Sequence, residues 1–74
     1  MSILPMFTAR AVMQKLIRGG FQFLYAKGSH YYFRHPVTKR ITSVPVHSGK
    51  DIGRGLLTKI LKQAGFTIKE FLNL

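Results

Sequence analysis

The sequence predicts an α+β fold: a helix, three antiparallel strands and a second helix in that order, α-β-β-β-α, closed by a short C-terminal helical turn. Three observations predict it. Apolar residues recur at helical spacing in residues 8–18 and 56–64. The segments between them alternate as strands do, and short turns separate those strands. Loops this short favour an antiparallel meander, with both helices covering one face of the sheet and the other face left open.

The first helix begins at Thr8, a residue suited to an N-cap. Ala9, Val12, Met13, Leu16 and Ile17 form its apolar face, opposite Arg10, Gln14 and Arg18. In the second helix Leu56, Leu57, Ile60, Leu61 and Ala64 form the buried stripe. Both helices end in related strings, Leu16-Ile-Arg-Gly-Gly20-Phe21 and Leu61-Lys-Gln-Ala-Gly65-Phe66. A left-handed glycine followed by an apolar residue folding back on the last turn explains both. Thr67-Ile-Lys-Glu70 fits a capping box for the final turn, anchored by Ile68, Phe71 and Leu72.

The first strand, Phe21–Lys27, carries Phe21, Phe23 and Tyr25 at period two, and Gly28-Ser29 turns the chain back. In His30–His35, Tyr31 and Phe33 take one face and His30, Tyr32 and Arg34 the other. His35-Pro-Val-Thr-Lys39 makes the next turn. Arg40–Val46 is the third strand, and Pro45 places it at the sheet edge or ends it. Phe21, Phe23, Phe33, Phe66 and Phe71 are expected in the core.

The chain of 74 residues is expected to form one domain, 1–74, with one core. A domain of this size buries only about 60% of the surface its unfolded chain exposes. The hydrophobic content of 46% suits a packed core rather than a disordered tail. No apolar run approaches the ~18 residues of a membrane helix, and Met1-Ser-Ile-Leu-Pro5 lacks a signal pattern. A soluble, cytoplasmic protein without a membrane partner is expected, and the absence of cysteine fits a reducing compartment.

Charge is the strongest functional signal. Twelve Lys and Arg face only Asp51 and Glu70, a net charge of +10. So large an excess favours a polyanionic partner, nucleic acid foremost, with an anionic membrane surface or an acidic protein behind it. The same numbers restrict the chemistry. Two-metal nucleases need clustered carboxylates, which this composition does not supply. Val46-His-Ser-Gly-Lys-Asp51 lacks the spaced glycine and following Ser or Thr of a phosphate-binding loop. A Ser29–His30 dyad fails because adjacent extended residues point to opposite faces. Zinc would need His30, His35 and His47 to converge, and the strand pattern argues against it. No metal and no cofactor are expected.

Acid–base chemistry by histidine remains, since imidazole exchanges protons near neutrality. RNA supplies its own nucleophile, the 2′-hydroxyl. His30 is the best candidate: it follows the Gly-Ser turn on the open face, with Lys27 and Arg34 able to hold phosphate and Tyr25 or Tyr32 able to stack a base. From spacing alone, an ordinary exposed strand histidine explains His30 more simply. His47 precedes the loop into the second helix, where Lys50, Arg54 and backbone amides could hold a phosphate; it reads as a binding residue or as a loop-ordering one. His35, beside Pro36, reads as structural. Lys59, Lys62 and Lys69 read as solvated charge on outer helix faces.

The strings Gly20-Phe21, Lys27-Gly-Ser-His-Tyr-Tyr-Phe-Arg-His-Pro36, Val44-Pro-Val-His-Ser-Gly-Lys-Asp51 and Leu61-Lys-Gln-Ala-Gly65 resemble the HicA (YcfA-like) toxins of toxin–antitoxin pairs. The similarity runs from about Leu4 to Leu72, with separate motifs in the family's order. The resemblance implies a double-stranded-RNA-binding-domain-like fold and a toxin that acts as a metal-independent messenger-RNA endoribonuclease. It implies His30 of the Gly-Ser-His motif as the catalytic residue. Lys27, Ser29, Arg34, His47, Lys50 and Arg54 are the residues expected to bind RNA. It also implies a HicB-type antitoxin that masks the site; the free toxin is expected to be a monomer. Two features depart from the family's pattern. Tyr31 stands where the family often has a second His or another polar residue, and the third strand reads one residue long, so that an extra Ser43 would sit in a β-bulge. Two other functions fit the composition: a non-catalytic RNA-binding module of the same fold, and an interaction protein whose basic surface serves an acidic partner.

Overall fold

A computed structural model of the chain describes residues 5–74. Met1–Leu4, and with them most of the stretch read for a signal pattern, lie outside the described residues. The elements run β1 (Phe7–Thr8), α1 (Ala9–Arg18), β2 (Gln22–Lys27), β3 (His30–Arg34), β4 (Ile41–Pro45), β5 (Asp51–Ile52), α2 (Arg54–Ala64) and α3 (Ile68–Leu72). The expected helix–three-strand–helix order is present, with α3 at the end. The main sheet is antiparallel in the order β2-β3-β4. A two-residue ladder between β1 and β5, Phe7 opposite Ile52 and Thr8 opposite Asp51, adds an element that the sequence did not announce.

Local chemistry explains the helix ends. The Thr8 hydroxyl accepts from the Ala11 amide at 3.1 Å and starts α1. At its end Gly20 takes φ 99°, and the Phe21 amide donates back to the Leu16 carbonyl at 2.9 Å. Helix α2 ends the same way: Gly65 takes φ 81°, and the Phe66 amide donates to the Leu61 carbonyl at 3.0 Å. The reversed chains bring the Phe21 and Phe66 rings into edge contact at 5.8 Å. The capping box of α3 is complete, with Thr67 and Glu70 bonded reciprocally. These hydrogen bonds hold the Glu70 carboxyl below its usual range, first through the Thr67 backbone amide and then through the Thr67 side chain.

The core is built from Val12 and Leu16 of α1, Phe21 just before β2, Phe33 of β3, Val44 of β4, Ile52 of β5, Leu57, Ile60 and Leu61 of α2, and Phe71 of α3. Burying each large apolar side chain contributes about 1.5–3 kcal/mol. Thr42 is buried among them; its hydroxyl lies 2.9 Å from Gln63 Oε1 and 3.4 Å from the Ile60 carbonyl, which satisfies it against α2. Several expected core positions are in fact open. Ile17 is exposed at the outer margin of α1, Leu56 precedes the buried stripe of α2, and Ile68 and Leu72 flank Phe71, which alone anchors α3. Lys15 closes the far end of α3, its ammonium 3.0 Å from the Leu74 carbonyl and beside the rings of Phe7 and Phe71.

Strand register corrects the sequence reading in one place that matters for the site. Ser43 needs no bulge: β4 pairs with β3 residue for residue, and Thr42 and Val44 both face the core. The irregularity lies instead in β2, between Phe23 and Tyr25. Phe23 pairs with Phe33 on the core face, whereas Tyr25 pairs with Tyr32 on the outer face. One extra residue, Leu24, therefore turns Tyr25 and Lys27 to the face that carries His30. The aromatic run Phe21, Phe23, Tyr25 does not share one face, and Phe23 stays 52% exposed on β2, an edge strand whose residues are all exposed.

Candidate functional site

Three cross-strand rows make up the outer face of the sheet. Lys27, His30 and Pro45 form the first, Tyr25, Tyr32 and Ser43 the second, and Gln22, Arg34 and Ile41 the third. The first row is set by the hairpin turn, in which Gly28 takes φ 59°, the left-handed region that favours glycine. The turn is tied down by the Val46 amide, which donates to the Ser29 carbonyl at 2.7 Å. His30 and Lys27 thus face each other at the mouth of a short hairpin.

In the second row the Tyr25 and Tyr32 rings stack, centroids 4.7 Å apart and planes within 13°. This stack exists only because the bulge at Leu24 brings Tyr25 to this face. Arg34 is four residues along β3 from His30, about 13 Å at the usual strand rise. It occupies the same face as His30 but a different place on it.

His30 is exposed, and beside it a cleft of ≈ 130 Å³ opens between β4 and α2. One wall carries His30, Ser43 and Pro45; the other carries Leu56, Lys59, Ile60 and Gln63. The helical positions are spaced i, i+3, i+4 and i+7, which puts them on one stripe of α2. Lys59, read from sequence as solvated charge, therefore lines the cleft that holds the candidate catalyst. The signal was present in that stripe: Leu56, Lys59 and Gln63 flank the buried Ile60 and share its side of the helix.

The other expected binding residues divide between places. His47 and Lys50 line a second groove with Thr8, Arg10 and Asp51 at the start of α1. Arg54 is the first residue of α2. The groove gains Arg10, which the sequence placed only on the polar side of α1.

His35 is held by the fold. Its Nδ1 accepts the amides of Val37 at 3.1 Å and Thr38 at 3.3 Å, which orders the turn, and its ring meets the Phe21 edge. The three histidines accordingly occupy three separate places. No three His, Cys, Asp or Glu side chains cluster as a metal site among the described residues. Of the two acidic residues, Asp51 belongs to β5 and Glu70 to the α3 capping box, and neither lines the His30 cleft. No helix among the described residues is long and apolar enough to cross a membrane.

Comparison with curated proteins finds no match. Comparison with family models finds one for the HicA toxin of bacterial toxin–antitoxin systems, which matches residues 9–66. That span starts with α1 and ends at Phe66, so it contains the three-stranded sheet, the His30 cleft and all of α2. Membership carries a toxin role and, with it, an antitoxin partner. With the match covering most of the chain and its central architecture, the protein belongs to the HicA toxin family.

Proposed function

We propose that this toxin is a metal-independent endoribonuclease that cuts messenger RNA with His30 as its acid–base catalyst and is silenced by a HicB-type antitoxin covering that face. The observation that carries the reading is the placement of His30: exposed on the open sheet face, paired with Lys27 and bordering a cleft.

The chemistry follows from those neighbours. His30 removes the proton of a ribose 2′-hydroxyl, whose oxygen attacks the adjacent phosphorus while the bond to the 5′ oxygen breaks. The products are a 2′,3′-cyclic phosphate and a 5′-hydroxyl end. Lys27, across the strand pair, lies where it can offset charge on the scissile phosphate, and Ser29 in the turn supplies a hydroxyl beside it. Arg34 is too far along β3 for that phosphate and serves a neighbouring one. The Tyr25–Tyr32 stack offers an aromatic surface for an unpaired base. His47 and Lys50, in their separate groove, and Arg54, at the start of α2, hold more distant backbone, and the charge of +10 draws the polyanion in. With two carboxylates in the whole chain and neither at the cleft, the protein offers no ligand set for a two-metal mechanism.

The test is cleavage of labelled RNA in excess chelator by the wild type and by His30→Ala. The reading expects chelator-resistant cleavage by the wild type. It expects the variant to fold and bind RNA but lose at least about 10²-fold in rate, the usual scale for removal of an acid–base catalyst. Equal cleavage by both proteins would end the assignment of His30. RNA binding without cleavage by either would favour a non-catalytic RNA-binding module.

A further inference from the structure

Cleavage at a phosphodiester needs two proton events on opposite sides of phosphorus. One occurs at the attacking 2′ oxygen and the other at the departing 5′ oxygen. A single imidazole at one wall of a cleft is well placed for only one of them. The opposite wall therefore bears on the reaction.

That wall is the stripe Leu56, Lys59, Ile60 and Gln63 of α2. Ile60 is buried at 1% exposure and fixes the rotation of the stripe against the sheet. Gln63 is tied back to the buried Thr42. Lys59 is thus the one cationic side chain on the helix side of the cleft, facing the wall that carries His30. Among the described residues no hydrogen bond or ion pair engages its ammonium, and Asp51 and Glu70 lie in other elements. Lys62, three residues on, has the same charge on the same helix but does not line the cleft.

We propose that Lys59 is a second catalytic group, an acid that donates a proton to the departing 5′ oxygen from the helix wall opposite His30. The inference rests on the ribonuclease reading above and deepens it. In the balanced step, His30 takes the 2′ proton as the O2′–P bond forms, and Lys59 gives a proton to the 5′ oxygen as the P–O5′ bond breaks. Exchange with water then resets both side chains. Nothing is oxidised or reduced, and no further reactant is needed.

The experiment compares wild type, Lys59→Ala, Lys62→Ala and His30→Ala on two single-stranded RNAs. One is unmodified. The other has sulfur in place of the bridging 5′ oxygen at the cleavage site, so the leaving group is a thiolate that departs without a proton. Alanine is a strong helix former, and both lysines are exposed, so helix content should survive either change. On unmodified RNA, Lys59→Ala should lose about 10²-fold or more in rate, with RNA affinity close to that of Lys62→Ala. Lys62→Ala should cleave nearly as fast as wild type. The sulfur substrate should restore Lys59→Ala towards the wild-type rate and leave His30→Ala slow.

Equal rates for Lys59→Ala and Lys62→Ala would overturn the proposal, because the helix charge would then act only at long range. A Lys59→Ala defect that persists on the sulfur substrate would overturn it as well. Either result leaves the role of His30 intact. Failure of the wild type to cut either RNA would instead remove the ribonuclease reading, and this proposal with it.

Discussion

Replacing Lys15 with Met tests how the C-terminal helix is held to the rest of the protein. The Lys15 ammonium approaches the carbonyls of Leu74 at 3.0 Å, Leu72 at 3.4 Å and Phe71 at 3.5 Å. It also lies 5.5 Å from the Phe71 ring centroid and 5.8 Å from that of Phe7. Only the shortest hydrogen bond is near ideal length. A hydrogen bond from a charged group contributes about 1.5 kcal/mol at the low end of its range. Cation–ring attraction at a partly exposed site adds about 0.5–1 kcal/mol. Met keeps the unbranched stem and its ring contacts, so the change isolates the charge. The sum is a loss of about 2 kcal/mol from those two terms. For a domain of this size each kcal/mol lowers Tm by about 4–8 °C, so the expected drop is roughly 8–16 °C. Thermal unfolding followed by circular dichroism measures it, and amide exchange should show faster opening around Phe71–Leu74. An unchanged Tm together with unchanged exchange at those amides would refute the reasoning.

Two further outcomes follow from local geometry. At Gly20, with φ 99°, an added Cβ would lie 2.6 Å from His35 Nε2; at Gly28, with φ 59°, nothing lies within 4 Å. Each Ala substitution incurs the left-handed penalty of about 1–2 kcal/mol. Only Gly20→Ala should also displace the His35 ring, so chemical denaturation should rank it clearly below Gly28→Ala, and equal midpoints would contradict the contact. The depressed Glu70 carboxyl favours folding wherever it is ionised, which holds fully above its unfolded value of about 4.3. That contribution fades as pH falls through the lower folded value, so the stability advantage of wild type over Glu70→Gln should hold constant above about pH 4.3 and shrink below it, the two acid titrations converging. Parallel curves through that range would contradict a capping role for the carboxylate.

What could be read in the sequence was what is decided locally. The ends of α1 and α2 depend on a glycine and the residue after it, and the box of α3 depends on Thr67 and Glu70, so each was visible within a few positions. The β1–β5 ladder joins residues 7–8 to 51–52, and a two-residue pairing so distant in sequence leaves no period to detect. The bulge was misplaced for a related reason. In Phe23-Leu-Tyr-Ala26 both sets of alternate residues are apolar or aromatic, so a slip by one residue leaves the pattern unchanged. In β4 the added Ser43 looked irregular but lies in an ordinary pair with Tyr32.

The site was legible to the same degree. His30, Tyr32 and Arg34 follow from the alternation of one strand, and the structure sets them on one face. Tyr25 and Lys27 share that face, and not that of Phe23, because of the bulge. Lys59 went unrecognised because a lysine on a helix is ordinarily solvated. What distinguishes it is the approach of α2 to β4, a tertiary fact. The placing of His47 and Lys50 beside Thr8 and Arg10 likewise depends on where the loop before β5 lies, next to α1.

The most direct measurement is the mass of the new RNA ends formed by purified protein in chelator. Attack by the ribose hydroxyl under His30 predicts fragments ending in 2′,3′-cyclic phosphate and beginning with 5′-hydroxyl. Fragments with 3′-hydroxyl and 5′-phosphate ends, or cutting that starts only when a divalent ion is added, would contradict it.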